Sequence, residues 1–137
     1  MKIQKFIWSV ILIAAFVIIL TPFILFPVCD SLRPDGSRMS CWYSGIFIIS
    51  MGILIEIFSF LAIKIKKTFL CSIFTIIFAL MCWLVPNKII DVEPLGLCSD
   101  LNHACRASTM PAVGILISLI ILSCFVLLIL NFLKGEK

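Results

Sequence analysis

Four long apolar runs constrain the fold of this chain more than any other feature of the sequence. They cover residues 6–26, 45–63, 68–85 and 112–132, and none of them contains a lysine or an arginine. An α-helix rises about 1.5 Å per residue, so about 20 apolar residues cross the hydrocarbon core of a bilayer. The runs therefore predict an all-α polytopic membrane protein, with four transmembrane helices in an antiparallel bundle of two hairpins.

The composition supports a membrane environment. Hydrophobic residues make up 63% of the chain and charged residues 13%, whereas a soluble domain is about half apolar and a quarter charged. The length leaves room for one domain, residues 1–137. The net charge of +4 does not predict nucleic-acid binding, because lysines lie at the ends of the apolar runs, where they anchor helices. We therefore expect the lipid bilayer, and no nucleic acid, as a partner.

The basic residues predict how the chain is oriented, because cytoplasmic segments carry an excess of lysine and arginine. Seven lysines lie at the two ends of the chain and in the short turn between the second and third runs, namely Lys2, Lys5, Lys64, Lys66, Lys67, Lys134 and Lys137. In the loops at 27–44 and 86–111, acidic residues offset the basic ones. We expect a multi-pass protein of the plasma membrane, with both termini cytoplasmic and both loops outside. The first run is too long for a signal peptide and should be retained as a span.

The two loops carry four of the seven cysteines. These are Cys29 and Cys41 in the first loop, and Cys98 and Cys105 in the second. Thiols outside the cytoplasm meet an oxidising compartment, so we expect disulfides. Four cysteines allow three pairings, and we favour Cys29–Cys41 and Cys98–Cys105 because each pair brackets one loop. Closing loops of this size stabilises a fold by roughly 2–4 kcal/mol.

The same cysteines leave two alternatives open. Four spans with a cysteine pair in each outer loop resemble the disulfide-generating quinone reductases of bacterial membranes, which implies a thiol–disulfide oxidoreductase. The Cys-x-x-Cys that lowers a thiol pKa is missing, since eleven residues separate Cys29 from Cys41. The other alternative is a soft-metal or haem site, since thioether, thiolate and imidazole groups suit copper(I) or haem iron. Its candidate ligands are Met39, Cys41, His103, Cys105 and Met110. The leading interpretation includes no cofactor.

Polar residues inside the apolar runs follow two helical stripes. At about 100° per residue, Gly45, Gly52, Glu56 and Ser59 share one face of the second run. On the third run the stripe consists of Cys71, Ser72, Thr75, Ala79 and Cys82. A carboxylate facing lipid costs at least a few kcal/mol. We therefore predict that Glu56 packs inside the bundle against the second stripe, with a hydrogen bond to Thr75 or a serine.

Motifs of catalysis are absent from the sequence. It contains no Walker loop, no glycine-rich dinucleotide fingerprint and no His-Glu-x-x-His. No catalytic residues are predicted. Trp8, Trp42, Tyr43 and Trp83 lie near the ends of the apolar runs, where aromatic side chains anchor helices at the membrane surface. The sequence favours a non-catalytic membrane protein, and it leaves self-association into a homo-oligomer open.

The loop motifs resemble those of an uncharacterised family of small four-span membrane proteins of bacteria and archaea. The resemblance rests on Cys29, on Met39-Ser40-Cys41-Trp42-Tyr43-Ser44, on the pair Cys98 and Cys105, and on Met110-Pro111. Genes of this family often lie beside those of ABC transporters of the lipoprotein-release or macrolide-export type. The resemblance therefore implies an accessory subunit of a membrane complex. An acid at the outer end of the second span in that family is not matched, because Ile46 and Phe47 occupy that region.

Overall fold

Four α-helices make up most of the protein. The computed structural model describes residues 2–28, 32–65, 67–93, 95–97, 102 and 105–133. The helices are α1 (Lys2–Leu20), α2 (Ser40–Ile65), α3 (Thr68–Leu84) and α4 (Met110–Leu133). Two π-helical turns, Thr21–Leu25 and Cys105–Thr109, extend α1 at its end and α4 at its start. No β-strand occurs in the described residues, and the all-α prediction is confirmed.

Three of the helical segments are long and apolar enough to cross a membrane. They are Lys2–Leu25, Ser40–Ile65 and Cys105–Leu133, and the π-helical turns are included in the first and last of them. The fourth segment, α3, is also apolar but has only 17 residues. At about 1.5 Å per residue it measures about 26 Å, slightly less than the roughly 30 Å of a bilayer core.

The helices pack as a closed ring. Each helix contacts the next along the chain, and α4 also contacts α1. Gln4 Nε2 donates a hydrogen bond to Asn131 Oδ1 at 2.8 Å, so the start of α1 lies beside the end of α4. Large side chains from α1, α2 and α4 fill the centre, among them Trp8, Ile11, Ile18, Ile48, Ile55, Val113, Ile120 and Leu127, and α3 contributes smaller ones such as Cys71, Ala79 and Cys82. The apolar runs thus supply one continuous core.

Several helices extend beyond the predicted spans. Helix α2 begins at Ser40, whereas its span was predicted from residue 45, so Cys41 to Ser44 are helical.

At the end of α1, the Pro22 nitrogen has no hydrogen to donate. The chain continues as a π-helical turn in which Phe26 N donates to Thr21 O at 2.9 Å. The loop after α1 contains a turn at Pro34-Asp35-Gly36, in which Gly36 N donates to Arg33 O at 2.9 Å.

Helices α1 and α2 come close to each other at Gly52. A Cβ atom at this position would lie 2.8 Å from Ile19 Cγ1 and 3.4 Å from Ile18 Cγ2. Gly45 contacts the segment that follows α1, since a Cβ there would lie 3.2 Å from Val28 Cγ2 and 3.4 Å from Pro22 Cβ. Small residues let two helices approach. The small-residue stripe of α2 therefore packs on α1, not on the polar stripe of α3.

Candidate functional site

The inner face of α3 is lined by small polar groups. Residues three and four positions apart share one face of a helix. All five residues of the polar stripe on α3 are buried, namely Cys71, Ser72, Thr75, Ala79 and Cys82. Ser59 is also fully buried on the neighbouring helix α2. Hydroxyl and thiol groups are thus enclosed among the apolar side chains of the core.

Two of these hydroxyl groups bond to their own helix. Ser72 Oγ donates to Thr68 O at 2.8 Å, and Ser59 Oγ donates to Ile55 O at 2.7 Å. A helical carbonyl oxygen has a second lone pair, so it accepts the hydroxyl in addition to its backbone partner. Both serines are therefore satisfied without a contribution from another helix.

The Thr75 hydroxyl group differs from the two serine hydroxyl groups. The residue is fully buried, and its Oγ1 atom has no hydrogen-bond partner among the described residues. The predicted bond between Glu56 and Thr75 is therefore not formed. Near the same face, the Cys82 thiol approaches Ile48 O of α2 at 4.0 Å, a weak contact between the two helices.

Glu56 does not face the interior, which corrects the prediction that it packs against Cys71, Thr75 and Cys82. Its side chain is half-buried. It lies in a shallow depression on the outside of the bundle, between α1 and α2, with a volume of about 280 Å³. We call this depression the Glu56 groove. Its lining residues are Leu12, Ile53, Glu56, Ile57 and Phe60.

The helical period explains where Glu56 points. At 100° per residue, Glu56 lies about 40° beyond Gly52, on the side away from the buried Ile55. Because Gly52 packs against Ile18 and Ile19 of α1, the next position in that direction emerges at the rim of the α1–α2 interface. The predicted stripe was wide enough to include Glu56, but the buried face of α2 ends before it.

Among the described residues, no lysine or arginine lines the Glu56 groove. Lysine and arginine are missing from residues 6–32, 39–63, 68–87 and 107–133. The nearest cation along α2 is Lys64, whose Nζ lies 5.6 Å from the centre of the Phe60 ring. Lys64 is eight residues from Glu56, about 12 Å along the helix axis. The carboxylate therefore lies in a mostly apolar depression whose other lining residues are leucine, isoleucine and phenylalanine.

At the end of the bundle that carries the two loops, hydrogen bonds connect segments that are distant in sequence. Ser44 of α2 accepts a bond from Gly96 N at 2.8 Å and donates one to Gly96 O at 3.0 Å. Thr109 Oγ1 donates to Phe26 O at 2.8 Å. These contacts join the second loop to the start of α2, and the start of α4 to the end of α1. We call this region the loop end.

Cys41 and Cys105 lie in the same apolar cluster at the loop end. Each is 1% exposed, and both pack with Val28 against Met39 and Trp42. The fold thus brings one cysteine from each predicted pair into a common cluster. Their predicted partners, Cys29 and Cys98, lie outside the described residues, so the two disulfides stay predictions.

The soft-metal candidates are only partly brought together. Met39 packs on the cluster that contains Cys41 and Cys105, whereas Met110 is buried in the central core of the bundle. His103 lies outside the described residues. Within the described part of the chain, no group of three or more His, Cys, Asp or Glu side chains could hold a metal ion.

The bond between Gln4 and Asn131, at the end opposite the loops, was not predicted; Asn131 is the one amide in α4, and this was the available signal. The prediction for Trp8 was wrong: it is only 2% exposed and belongs to the core, whereas it was predicted to anchor the helix at the membrane surface. Trp8 lies one turn after Gln4, so it faces the same interface.

The fold and the groove define a class: a small helical protein with three helices of membrane-spanning length, a shorter apolar helix and an acidic groove on its outer surface. The chain belongs to a family described as a domain of unknown function (DUF4418), whose family model matches residues 11–130. The match includes α2 and α3 in full, half of α1 and most of α4. Neither the curated proteins nor the solved structures gave a match.

Proposed function

We propose that all four helices cross the plasma membrane as an antiparallel bundle, with both termini cytoplasmic and the loop end outside. The distribution of lysine and arginine supports this orientation. The 17 residues of α3 are slightly short for a bilayer, but packing between two longer neighbours and a small local thinning would accommodate them.

Reaction of intact cells with a membrane-impermeant thiol reagent after reduction tests this orientation. Cys29 and Cys98 should be labelled, whereas Cys41 and Cys105, each 1% exposed, and the buried thiols of Cys71, Cys82 and Cys124 in the helices should not. A terminal tag reached from outside, with Cys29 and Cys98 unlabelled, would reverse the proposed orientation. The proposed pairs Cys29–Cys41 and Cys98–Cys105 are tested separately by mass spectrometry of unreduced peptides.

The function that the site supports best is a non-catalytic accessory subunit of a larger membrane complex, such as an ABC-type transporter. The observation that carries this proposal is the position of Glu56. An ionisable side chain within a membrane span marks a functional contact by default, and this one opens to the outside of the bundle in a groove with no lysine or arginine among its described lining residues. A protein complete in itself would enclose or pair such a group. The resemblance to a family encoded beside ABC transporters points to the kind of complex.

Purification in a mild detergent from the native membrane tests the proposal. We expect the tagged chain to bring down transporter components in a fixed ratio, and mass spectrometry would identify them. A matched tagged protein of similar size and topology serves as the control. Recovery of the chain alone, with its fold intact, would contradict an accessory role.

A thiol–disulfide oxidoreductase is the alternative function. It is favoured by the common cluster of Cys41 and Cys105, since electron transfer between two disulfides requires cysteines of both loops to come close. It also needs an electron acceptor such as a quinone. The test is to replace each loop cysteine by serine and look for trapped mixed disulfides together with a bound quinone. Their joint presence would favour the enzyme over the accessory subunit.

A further inference from the structure

We propose that the Glu56 groove is the docking site for a transmembrane helix of a partner protein, and that this helix carries a positively charged side chain at the depth of Glu56. The inference rests on the proposed function, because it names the surface and the chemistry through which the accessory subunit would bind. It concerns one occupant, a helix from a different chain.

Glu56 lies too deep in the bilayer to pair with a cation at the membrane surface. It lies nine residues before Ile65, the end of α2, which is about 14 Å along the helix axis. Leu12 on the opposite wall lies ten residues after Lys2, the start of α1, which is about 15 Å. Both walls of the groove are therefore near the middle of a hydrocarbon core about 30 Å thick. A cation that meets Glu56 there must arrive on another membrane-spanning segment.

The shape of the groove suits side chains of a helix better than a free ligand. Its volume of about 280 Å³ is comparable to the smallest small-molecule pockets, which start at roughly 300 Å³. Its rim is open, since Ile53 and Ile57 are 44% and 48% exposed. An open apolar rim around one acid offers packing for a helix and a single electrostatic contact, which is how transmembrane helices associate.

Charge complementarity favours a different chain over a second copy of this one as the occupant of the groove. A second copy would bring another Glu56 to the same depth and no basic residue, because residues 39–63 contain neither lysine nor arginine. Two carboxylates brought together disfavour ionisation of both. A lysine or arginine on a partner helix would pair with Glu56. Neither charge would then be isolated in lipid, where each is costly.

The experiment measures association of the full chain with designed single-span peptides in phosphatidylcholine liposomes by fluorescence energy transfer. The peptides are polyleucine helices that carry lysine, asparagine, glutamate or leucine at their centre. We expect the lysine peptide to bind the natural chain at least about tenfold more tightly than the leucine peptide. Glu56→Gln should remove this difference, and Glu56→Lys should transfer the preference to the glutamate peptide.

A matched control places the acid elsewhere at the same depth. Ser123 of α4 lies ten residues before Leu133, about 15 Å from the helix end. Adding Ser123→Glu to Glu56→Gln should not restore binding of the lysine peptide if the groove is required. If Glu56→Gln does not fold, Leu12→Phe provides a second test, because it fills the groove and leaves the acid in place; it should weaken lysine-peptide binding.

Three results would overturn the inference. They are equal binding of the lysine and asparagine peptides, restoration of binding by Ser123→Glu, and self-association of the natural chain that depends on Glu56 while the lysine peptide fails to bind. The outcome is independent of the purification experiment. A complex recovered equally with the natural chain and with Glu56→Gln would leave the accessory role standing and reject this docking site. Peptide binding without any recovered complex would support this docking site and contradict the accessory role.

Discussion

The buried hydroxyl groups of the bundle and the carboxylate of Glu56 lie in contrasting places. Ser59 and Ser72 are enclosed in the core, and each bonds to a carbonyl of its own helix. Glu56 is three residues from Ser59, yet it emerges between α1 and α2 on the outside of the bundle. Ser59 and Ser72 thus satisfy their hydroxyl groups inside the core, whereas Glu56 places its carboxylate at the surface, where its own helix offers no donor.

The difference follows from what a helix can offer. Helical carbonyl oxygens keep a free lone pair, which a hydroxyl group uses, but helical N–H groups beyond the first turn are all engaged in backbone bonds. A carboxylate, which only accepts hydrogen bonds when ionised, therefore finds no donor on its own helix. It must obtain one from another segment. In this protein the segments beside Glu56 offer leucine, isoleucine and phenylalanine.

Exchanging the two kinds of group should have the largest effect. Thr75→Glu would place a carboxyl group at a fully buried position, and we expect the folded protein to lose about 3 kcal/mol or more. Glu56→Thr, the matched control, should fold as well as the natural chain, because it removes an acid from a half-exposed position. The measurement is the yield and thermal midpoint of monodisperse protein in detergent.

The opposite order of stability for these two variants would contradict the contrast between the enclosed hydroxyl groups and the outward-facing Glu56. If Glu56→Thr unfolded the bundle while Thr75→Glu did not, the interior would be polar and solvated, and Glu56 would have a structural partner in its own chain.

The next effect in size concerns the contact that turns Glu56 outward. Gly52→Val adds side-chain atoms where even a Cβ atom would lie 2.8 Å from Ile19 Cγ1. Overpacking of this kind typically costs 1–3 kcal/mol, so we expect a clear fall in the thermal midpoint. Ser50→Val, at an exposed position of the same helix, should leave the midpoint unchanged. Equal stability of the two variants would show that α1 and α2 are not in close contact at Gly52.

The architecture could be predicted because membrane helices leave a strong signal. The apolar runs are long, so α1 to α4 were recognisable, and the helical period placed Ser72 and Thr75 on the same face of α3. Helix ends were less predictable. Cys41 to Ser44 are not strongly apolar, but in the structure Ser44 bonds to Gly96, 52 residues away, and the helix includes it. No local pattern contains that contact.

The site was harder to predict because it depends on which helices touch. The stripe on α2 indicated correctly that Gly52 packs closely, but it did not reveal that the neighbour is α1. A shift of about 40° around the helix then separates an interior acid from a surface one. Trp8 shows the same limit, since its place near a helix end predicted an anchor while the ring order of the helices buries it.

A smaller effect is expected from the unpartnered hydroxyl group. Thr75→Val removes an oxygen that has no hydrogen-bond partner among the described residues, so the free energy of unfolding should stay unchanged or rise by up to about 1 kcal/mol. Ser72→Ala, which removes a bonded hydroxyl on the same face, should lower it by about 0.5–1 kcal/mol. Denaturant titration in detergent measures both. A marked loss of stability in Thr75→Val would reveal a polar partner of Thr75.

The smallest effect concerns Asp35, an acid that obtains its donors from its own segment. In the exposed turn, Asp35 Oδ1 accepts bonds from Ser37 Oγ at 2.7 Å and from Ser37 N at 3.0 Å. The Ser37 side chain first, and then its backbone N–H, lower the pKa of Asp35 below its ordinary value of 3.8. Since the folded pKa is below the unfolded one, this stabilisation is present above pH 3.8 and is lost as the pH falls through the folded pKa.

Turn residues have free N–H groups and helical residues do not, which is why Asp35 is satisfied locally and Glu56 is not. Ser37→Ala should therefore raise the pKa of Asp35 towards 3.8, and a carbon-detected NMR titration of the carboxyl group would show it. Because the turn is fully exposed, neither Ser37→Ala nor Asp35→Asn should change the thermal midpoint measurably at pH 7. A pKa of Asp35 that is the same with and without Ser37 would mean that the turn does not supply its donors. The contrast between loop and helix would then need a different explanation.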